Sequence, residues 1–200
     1  MTIRKGSGYG TLRPLPPGAP IATSDVHLCR LVADTEPGSA NVFGLIGGDL
    51  CRTLGGLGDV GRLTTGEAVT VPIDLAIATI DGREHPFVAH LVVGRPFGPN
   101  FAAVMNAQWF GDLDLGPRAH PGDGLLDITT GSLRWRQRRL AVRRARSGIH
   151  VPHPALRQRR TANEVLHVGK PVPVLIDGGL RTTGSEISIR LERDAFEVVI

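Results

Sequence analysis

The sequence predicts a mainly β fold, an antiparallel two-layer β-sandwich with one basic helix and a short irregular N-terminal segment. Three observations lead there. The 200 residues include 26 Gly and 15 Pro, which punctuate short elements and disfavour long helices. From residue 67 onward, short apolar runs with period-two alternation follow one another between turn residues, the pattern of half-buried strands. No strand–helix–strand rhythm appears of the kind that builds a parallel nucleotide-binding sheet.

Taken in order, residues 1–43 are interrupted by Pro and Gly, and "RPLPPGAP" (13–20) cannot continue a helix. They read as an arm with a few edge strands. "GSGYGT" (6–11) has no strand before it and so is no dinucleotide fingerprint. Next comes "GLIGGDLCRTLGGLGDVGR" (44–62), in which "DLCRTLGG" is long enough for a short helix ending at Gly55 or Gly56. "AVTVPIDLAIATI" (68–80), the Asp81-Gly82 turn and "PFVAHLVVG" (86–94) form a hairpin, because Asp-Gly supplies the positive φ angles of a tight turn. Strands follow at 102–107, 125–131, 164–169, 172–177, 186–192 and 196–200. We therefore divide the chain into an arm and Gly-rich segment, 1–66, and a sandwich, 67–200.

Charge is the next constraint. The formal net charge is +4, and Lys5 and Lys170 are the only lysines. "LRWRQRRLAVRRARSG" (133–148) carries Arg134, Arg136, Arg138, Arg139, Arg143, Arg144 and Arg146, with Arg157, Arg159 and Arg160 beyond. Helical phasing sets Leu133, Arg136, Leu140 and Arg144 against Trp135, Arg138, Val142 and Ala145, a modest apolar stripe beside a wide cationic face. Such a face is either simply solvated or meets anionic lipid headgroups or substrate phosphate. Nucleic acid is disfavoured: there is no aromatic stacking platform and no zinc-finger or helix-turn-helix signal. Cys29 and Cys51 lack the spacing of a disulfide framework or zinc site. No apolar run reaches about 18 residues and the first residues lack a secretory apolar stretch, so the expected location is cytoplasmic, with peripheral contact at a membrane.

The stretch with most chemistry is "PRAHPGDGLLDI" (117–128). Its Pro-Gly-Asp-Gly turn presents Asp123 beside backbone carbonyls, a donor set that suits a hard cation such as Mg²⁺. "RARSGIHVPHP" (144–154) follows, then "VPVLIDGG" (172–179). His150 and His153 have H-x-x-H spacing without a Cys or carboxylate to complete a zinc set; His27, His85, His90 and His167 read as ordinary surface or core histidines.

In this order the motifs resemble the carboxy-terminal β-sandwich of the diacylglycerol kinase and bacterial lipid kinase family, which includes sphingosine kinases and is related to NAD kinases. There an "NDGLLD"-like turn, a basic helix, a "G-x-H-x-x-H-P"-like segment and a "DGE" turn recur. The resemblance covers about residues 44–200. It implies that Asp123 is a metal-associated carboxylate with the carbonyls of His120 and Leu125 as co-ligands of a magnesium more structural than catalytic. It also implies that Asp177 is the general base toward a lipid hydroxyl, and that Arg138, Arg143, Arg144, Arg146, His150 and His153 face phosphate or lipid. "LIGGDLCRTLGG" is similar to the family's "G-T-x-N-D-x-A-R-x-L", which would put Asp49 and Arg52 near nucleotide. The departures are Leu45 and Ile46 for Gly-Thr, Gly48 for Asn, and Gly179 for the Glu of "DGE".

"GGDLC" does not serve as the family's phosphate-cradling "GGDGT", since Leu50 and Cys51 replace the later Gly and Thr. Too few residues precede Asp49 for the family's nucleotide domain. Two expectations follow. One is a lipid kinase-like enzyme that moves the γ-phosphoryl of ATP to a lipid hydroxyl, catalytically incomplete alone and completed by a partner chain that supplies the nucleotide half. The other is a non-catalytic module that binds a lipid or phosphorylated ligand, or docks to a partner, as a homo-oligomer or otherwise.

Overall fold

The computed structural model describes residues 10–36 and 41–200; the rest of the predicted arm, with most of "GSGYGT", lies outside the described residues. In chain order the elements are β1 (Thr11–Leu12), β2 (Ile21–Ala22), α1 (Asp25–Ala33), β3 (Val42–Leu45), α2 (Asp49–Thr53), a 3-10 turn (Gly61–Thr64), β4 (Val69–Ile80), β5 (Arg83–Phe87) and β6 (His90–Val93). Then come β7 (Phe101–Met105), β8 (Trp109–Phe110), β9 (Leu113–Asp114), β10 (Leu126–Gly131), α3 (Trp135–Ala145), β11 (Leu156–Thr161), β12 (Asn163–Ile176) and β13 (Leu180–Val199). The protein is mainly β, as its turn-punctuated alternation requires.

One curled sheet runs β1-β4-β13-β12-β6-β7-β10-β11, with β5 on β4 and with β3, then β2, branching from β13. Every pairing on the main path is antiparallel. Register shifts between His167 and Val172 and between Glu192 and Phe196 bend the two longest strands, as bulges do. The curl brings Ala76, Phe87 and Ile189 against Val104, Ile128 and Val174 in one apolar core between the two layers. The segments 164–169 and 172–177 are thus one bent strand, and so are 186–192 and 196–200.

Two hairpins share one turn chemistry. Asp81 and Gly82 have φ of 45° and 84° and make a two-residue turn whose twist matches its strands; Asp177 and Gly178 have φ of 48° and 69° and open a three-residue turn that Gly179 completes. The first was legible from "DG" alone.

The N-terminal region departs from expectation. α1 and the short β2 and β3 form a strand–helix–strand unit, in which β2 lies parallel to β3 and β3 parallel to β13. A two-residue strand carries no periodicity, so the sequence could not announce it. Ser24 caps α1 by accepting the His27 N–H at 3.3 Å, with Asp25 in its first turn, a standard start signal. Ala22, Leu28, Phe43 and Leu45 from this unit, with Leu50 and Leu54 of α2 and its end, share a core with Val71, Ile73, Phe196 and Val198 of the sandwich.

α3 packs through Ala141 and Ala145, with Val142 half-buried, onto Phe97, Phe101 and Leu115. Trp135 and Leu140 instead remain 65% and 47% exposed. Arg157, Arg159 and Arg160 lie on edge strand β11.

Replacing the fully buried Leu91, in the core between the layers, by Ala should destabilise the fold by about 3 kcal/mol in urea titration, since the lost methylenes leave a cavity. Leu140→Ser, at an exposed site, should shift it by less than about 0.5 kcal/mol.

Candidate functional site

Asp177 occupies the left-handed first position of the β12–β13 turn. There its carboxylate folds back over the segment before β6, accepting the Val88 N–H at 2.9 Å through one oxygen, and through the other the Ala89 N–H at 2.8 Å and the His90 N–H at 3.0 Å. It is 7% exposed. Beside it the His90 ring is only 1% exposed, with Nδ1 3.8 Å from the Asp177 carboxylate and Nε2 3.1 Å from the Asp49 carboxylate. Neither ring nitrogen has a well-aligned hydrogen-bond acceptor, so the link is ionic. Burial pushes the His90 pKa down, but the two carboxylates overcome it and raise it to about 9.

A third acid completes the group. Asp25, from the first turn of α1, accepts the N–H groups of Asp49 at 2.7 Å and Leu50 at 3.1 Å. The first turn of α2 therefore spends those two N–H groups on an internal carboxylate rather than on a phosphate. Gly48, with φ of 96°, is required here, because a Cβ would collide with that carboxylate. Burial and then the Asp177 charge push the Asp25 pKa up, against the pull of the two N–H groups and His90, to about 7.

Asp49 and Arg52, expected near nucleotide, hold the backbone of one residue, Gly111, from both sides. Asp49 accepts the Gly111 N–H at 2.9 Å, Arg52 donates to the Gly111 carbonyl at 2.9 Å, and the guanidinium sits 3.5 Å from the centre of the Trp109 ring. They clamp the β8–β9 hairpin onto α2. Burial raises the Asp49 pKa, but His90, the Gly111 N–H and Arg52 together hold it below the usual carboxylate value.

Asp25, Asp49 and Asp177, with Arg30 and Arg181, line a polar cleft of about 520 Å³. An apolar crevice of about 190 Å³, lined by Val26, Cys29, Ala33, Pro86, Ile176 and Leu180, adjoins it and shares Val26, Arg30, Asp177 and Leu180. The departure at Gly179 is explained: a Cβ there would stand 2.5 Å from Val26 of α1. Helix α1 closes over the space a Glu side chain would need.

The Asp123 turn is a separate place. Asp74 docks it by accepting the Gly124 N–H at 2.7 Å. One Asp123 oxygen accepts the Leu125 N–H at 3.0 Å, and the other pairs with Arg160, which also bridges to Asp127 at 2.8 Å. The His120 carbonyl accepts the Asp123 N–H at 3.3 Å. Of the expected magnesium set of His120, Asp123 and Leu125, one Asp123 oxygen is thus taken by a guanidinium and the other by a backbone N–H. No cluster of three or more His, Cys, Asp or Glu side chains that could hold a metal occurs among the described residues.

Of the proposed interface residues, Arg143, Arg144 and Arg146 are exposed. Arg138 turns inward, donating from Nε to the Pro96 carbonyl at 3.0 Å. His150 is buried with its ring 5.4 Å from that of Phe97 and so cannot meet a surface ligand. His153 fixes the loop, its Nδ1 accepting the Ala155 N–H at 3.1 Å. Asp25, Arg30, His90 and Arg181 were not found by sequence reasoning. For Asp25 a signal existed, the "TSD" start of a helix; for His90 it did not.

No family model and no curated protein matches the sequence. Among solved structures, a protein of Bacillus anthracis str. Sterne assigned as a diacylglycerol kinase aligns with 89% of this chain and 76% of its own, at 14% identity and a TM-score of 0.65. Two others from that organism, a diacylglycerol kinase and another so assigned, cover 78% of this chain and 66% and 68% of theirs, at 15% and 13% identity and TM-scores of 0.55 and 0.56. This chain has the diacylglycerol kinase fold. At such identities the likeness is one of architecture.

Two outcomes test the site. Because the folded His90 pKa lies above its ordinary value of 6.5, the stability it contributes is complete below pH about 6.5 and is lost as pH rises toward 9. The urea midpoint should fall across that window, and His90→Gln should remove this part of the fall. Mg²⁺ and EDTA should give the same melting temperature, whereas Arg160→Met should lower stability by roughly 1 kcal/mol, a value discounted for its partial exposure.

Proposed function

We propose that this protein is a lipid-binding member of the lipid-kinase fold that does not transfer phosphate through Asp177. The observation that carries this reading is the pairing of the polar cleft with the apolar crevice, two compartments that share Val26, Arg30, Asp177 and Leu180. Their combination matches an amphiphile: an anionic headgroup beside Arg30 and Arg181, and the start of an acyl chain along Val26, Ala33, Pro86 and Leu180. A few polar groups at an otherwise apolar lining are what orient such ligands.

A general base needs a lone pair within reach of the hydroxyl it deprotonates. Asp177 accepts three backbone N–H groups and faces an imidazolium. Its carboxylate is a strut. The α2 N–H groups that could have met a nucleotide phosphate belong to Asp25.

The outer face of α3 supports the lipid reading independently. Trp135, Arg136, Arg139, Leu140, Arg143 and Arg146 fall on one side of the helix, away from Ala141 and Ala145. Exposed Trp and Leu among arginines form the composition that lies on an anionic bilayer. No helix among the described residues is long and apolar enough to cross a membrane.

Cosedimentation should show binding to anionic vesicles that weakens with salt, since exposed charges are screened within about 8–10 Å. Leu180→Asp should reduce lipid uptake without loss of fold. With ATP, Mg²⁺ and diacylglycerol, transfer of labelled phosphate should stay at background; turnover that Asp177→Asn abolishes would establish the alternative, a kinase using Asp177 as base, completed where needed by a nucleotide-binding partner chain.

A further inference from the structure

A second concave site lies on the other side of Arg181. Its volume is about 500 Å³, and its walls are the 94–99 loop, residues 172–175 of β12, the start of β13, Phe110 and α3. Arg95, Arg138 and Arg181 border it over a floor that includes Val92, Phe110 and Val174, and no Asp or Glu lines it. None of the three arginines has a carboxylate partner among the described residues. This contrasts with Arg160, which neutralises two aspartates.

We infer that this cleft binds a phosphate monoester, held by Arg95, Arg138 and Arg181. Three guanidinium groups around an apolar-floored concavity repel one another, and a dianion placed among them relieves that repulsion. Arginine is the side chain suited to this, because its planar fork meets two phosphate oxygens at once. Arg138 is pre-positioned by its Nε bond to the Pro96 carbonyl, which leaves its terminal nitrogens for the ligand. Arg138 also belongs to the α3 surface, and Arg181 to the Asp25 cleft. The site therefore lies between the face we assign to the bilayer and the amphiphile cleft, but its evidence does not depend on what fills that cleft. A phosphomonoester can arrive free in solution or as the headgroup of a lipid such as phosphatidic acid.

The test titrates inorganic phosphate and glycerol phosphate by calorimetry, and compares phosphatidylcholine vesicles containing phosphatidic acid with vesicles of equal charge containing phosphatidylglycerol. Saturable binding of a soluble monoester, or preference for phosphatidic acid over the diester lipid, is expected. Arg95→Ala, at an exposed position, and Arg138→Met, which keeps the apolar stem, should each weaken it about tenfold, the loss of a charge-assisted hydrogen bond, with Arg95→Ala leaving the unfolding midpoint unchanged. Dependence on the free ester identifies a soluble ligand and dependence on the bilayer a headgroup. No binding of either probe, no preference for the monoester, or binding that neither variant weakens overturns the assignment. Arg30→Ala, which touches only the other cleft, separates the two readings: it should impair amphiphile uptake and leave monoester binding intact.

Discussion

The ionic pairing of His90 with Asp49 and Asp177 is the constraint on which the rest of this molecule depends. A buried imidazolium is costly unless paired, and removing one partner of such a group typically costs about 3–5 kcal/mol. Here the three side chains come from β6, α2 and the β12–β13 turn, so their pairing fixes three segments far apart in sequence. The three N–H groups that Asp177 accepts lock the entry to β6 at the same point, and Asp25 extends the arrangement to α1. These acids hold a strand–helix–strand unit against a sandwich.

The arginines divide accordingly. Arg52 and Arg160 are committed to internal work, one stacked on Trp109 and gripping a peptide, the other spanning Asp123 and Asp127. Arg30, Arg95 and Arg181, with the outer row of α3, have no carboxylate partner among the described residues, and these border the clefts. A basic net charge thus resolves into cations paired within the fold and cations that border its clefts. The distinction rests on partners in space.

The elements most legible in the sequence were those with local signals. Asp81-Gly82 announced its hairpin, the period-two runs announced β4 and the long strands, and the arginine-rich stretch announced α3. β2 and β3 were hidden because their partners are each other and β13, none of which is near in sequence. Asp49 and Asp177 could be singled out by resemblance, but their shared neighbour could not: His90 is one of seven histidines, and only the fold sets it between two carboxylates. The Arg160 partner of Asp123 was hidden for the same reason, since it lies 37 positions away and meets the carboxylate only when β11 pairs with β10.

The parallel pairing of β3 with β13 also bears on how the chain acquires its structure. Val42, Phe43 and Gly44 take their ladder partners from Glu197, Val198 and Val199, and Ile200 joins Leu50 and Cys51 in one core. The early helices therefore have no complete apolar surface to settle on until that distant strand arrives. Pairings of such long sequence separation carry a large loop-closure entropy and form late. The two acids contributed by α1 and α2 should thus be among the last groups to reach their places, and the cleft they line should be assembled only when the rest of the molecule is already folded.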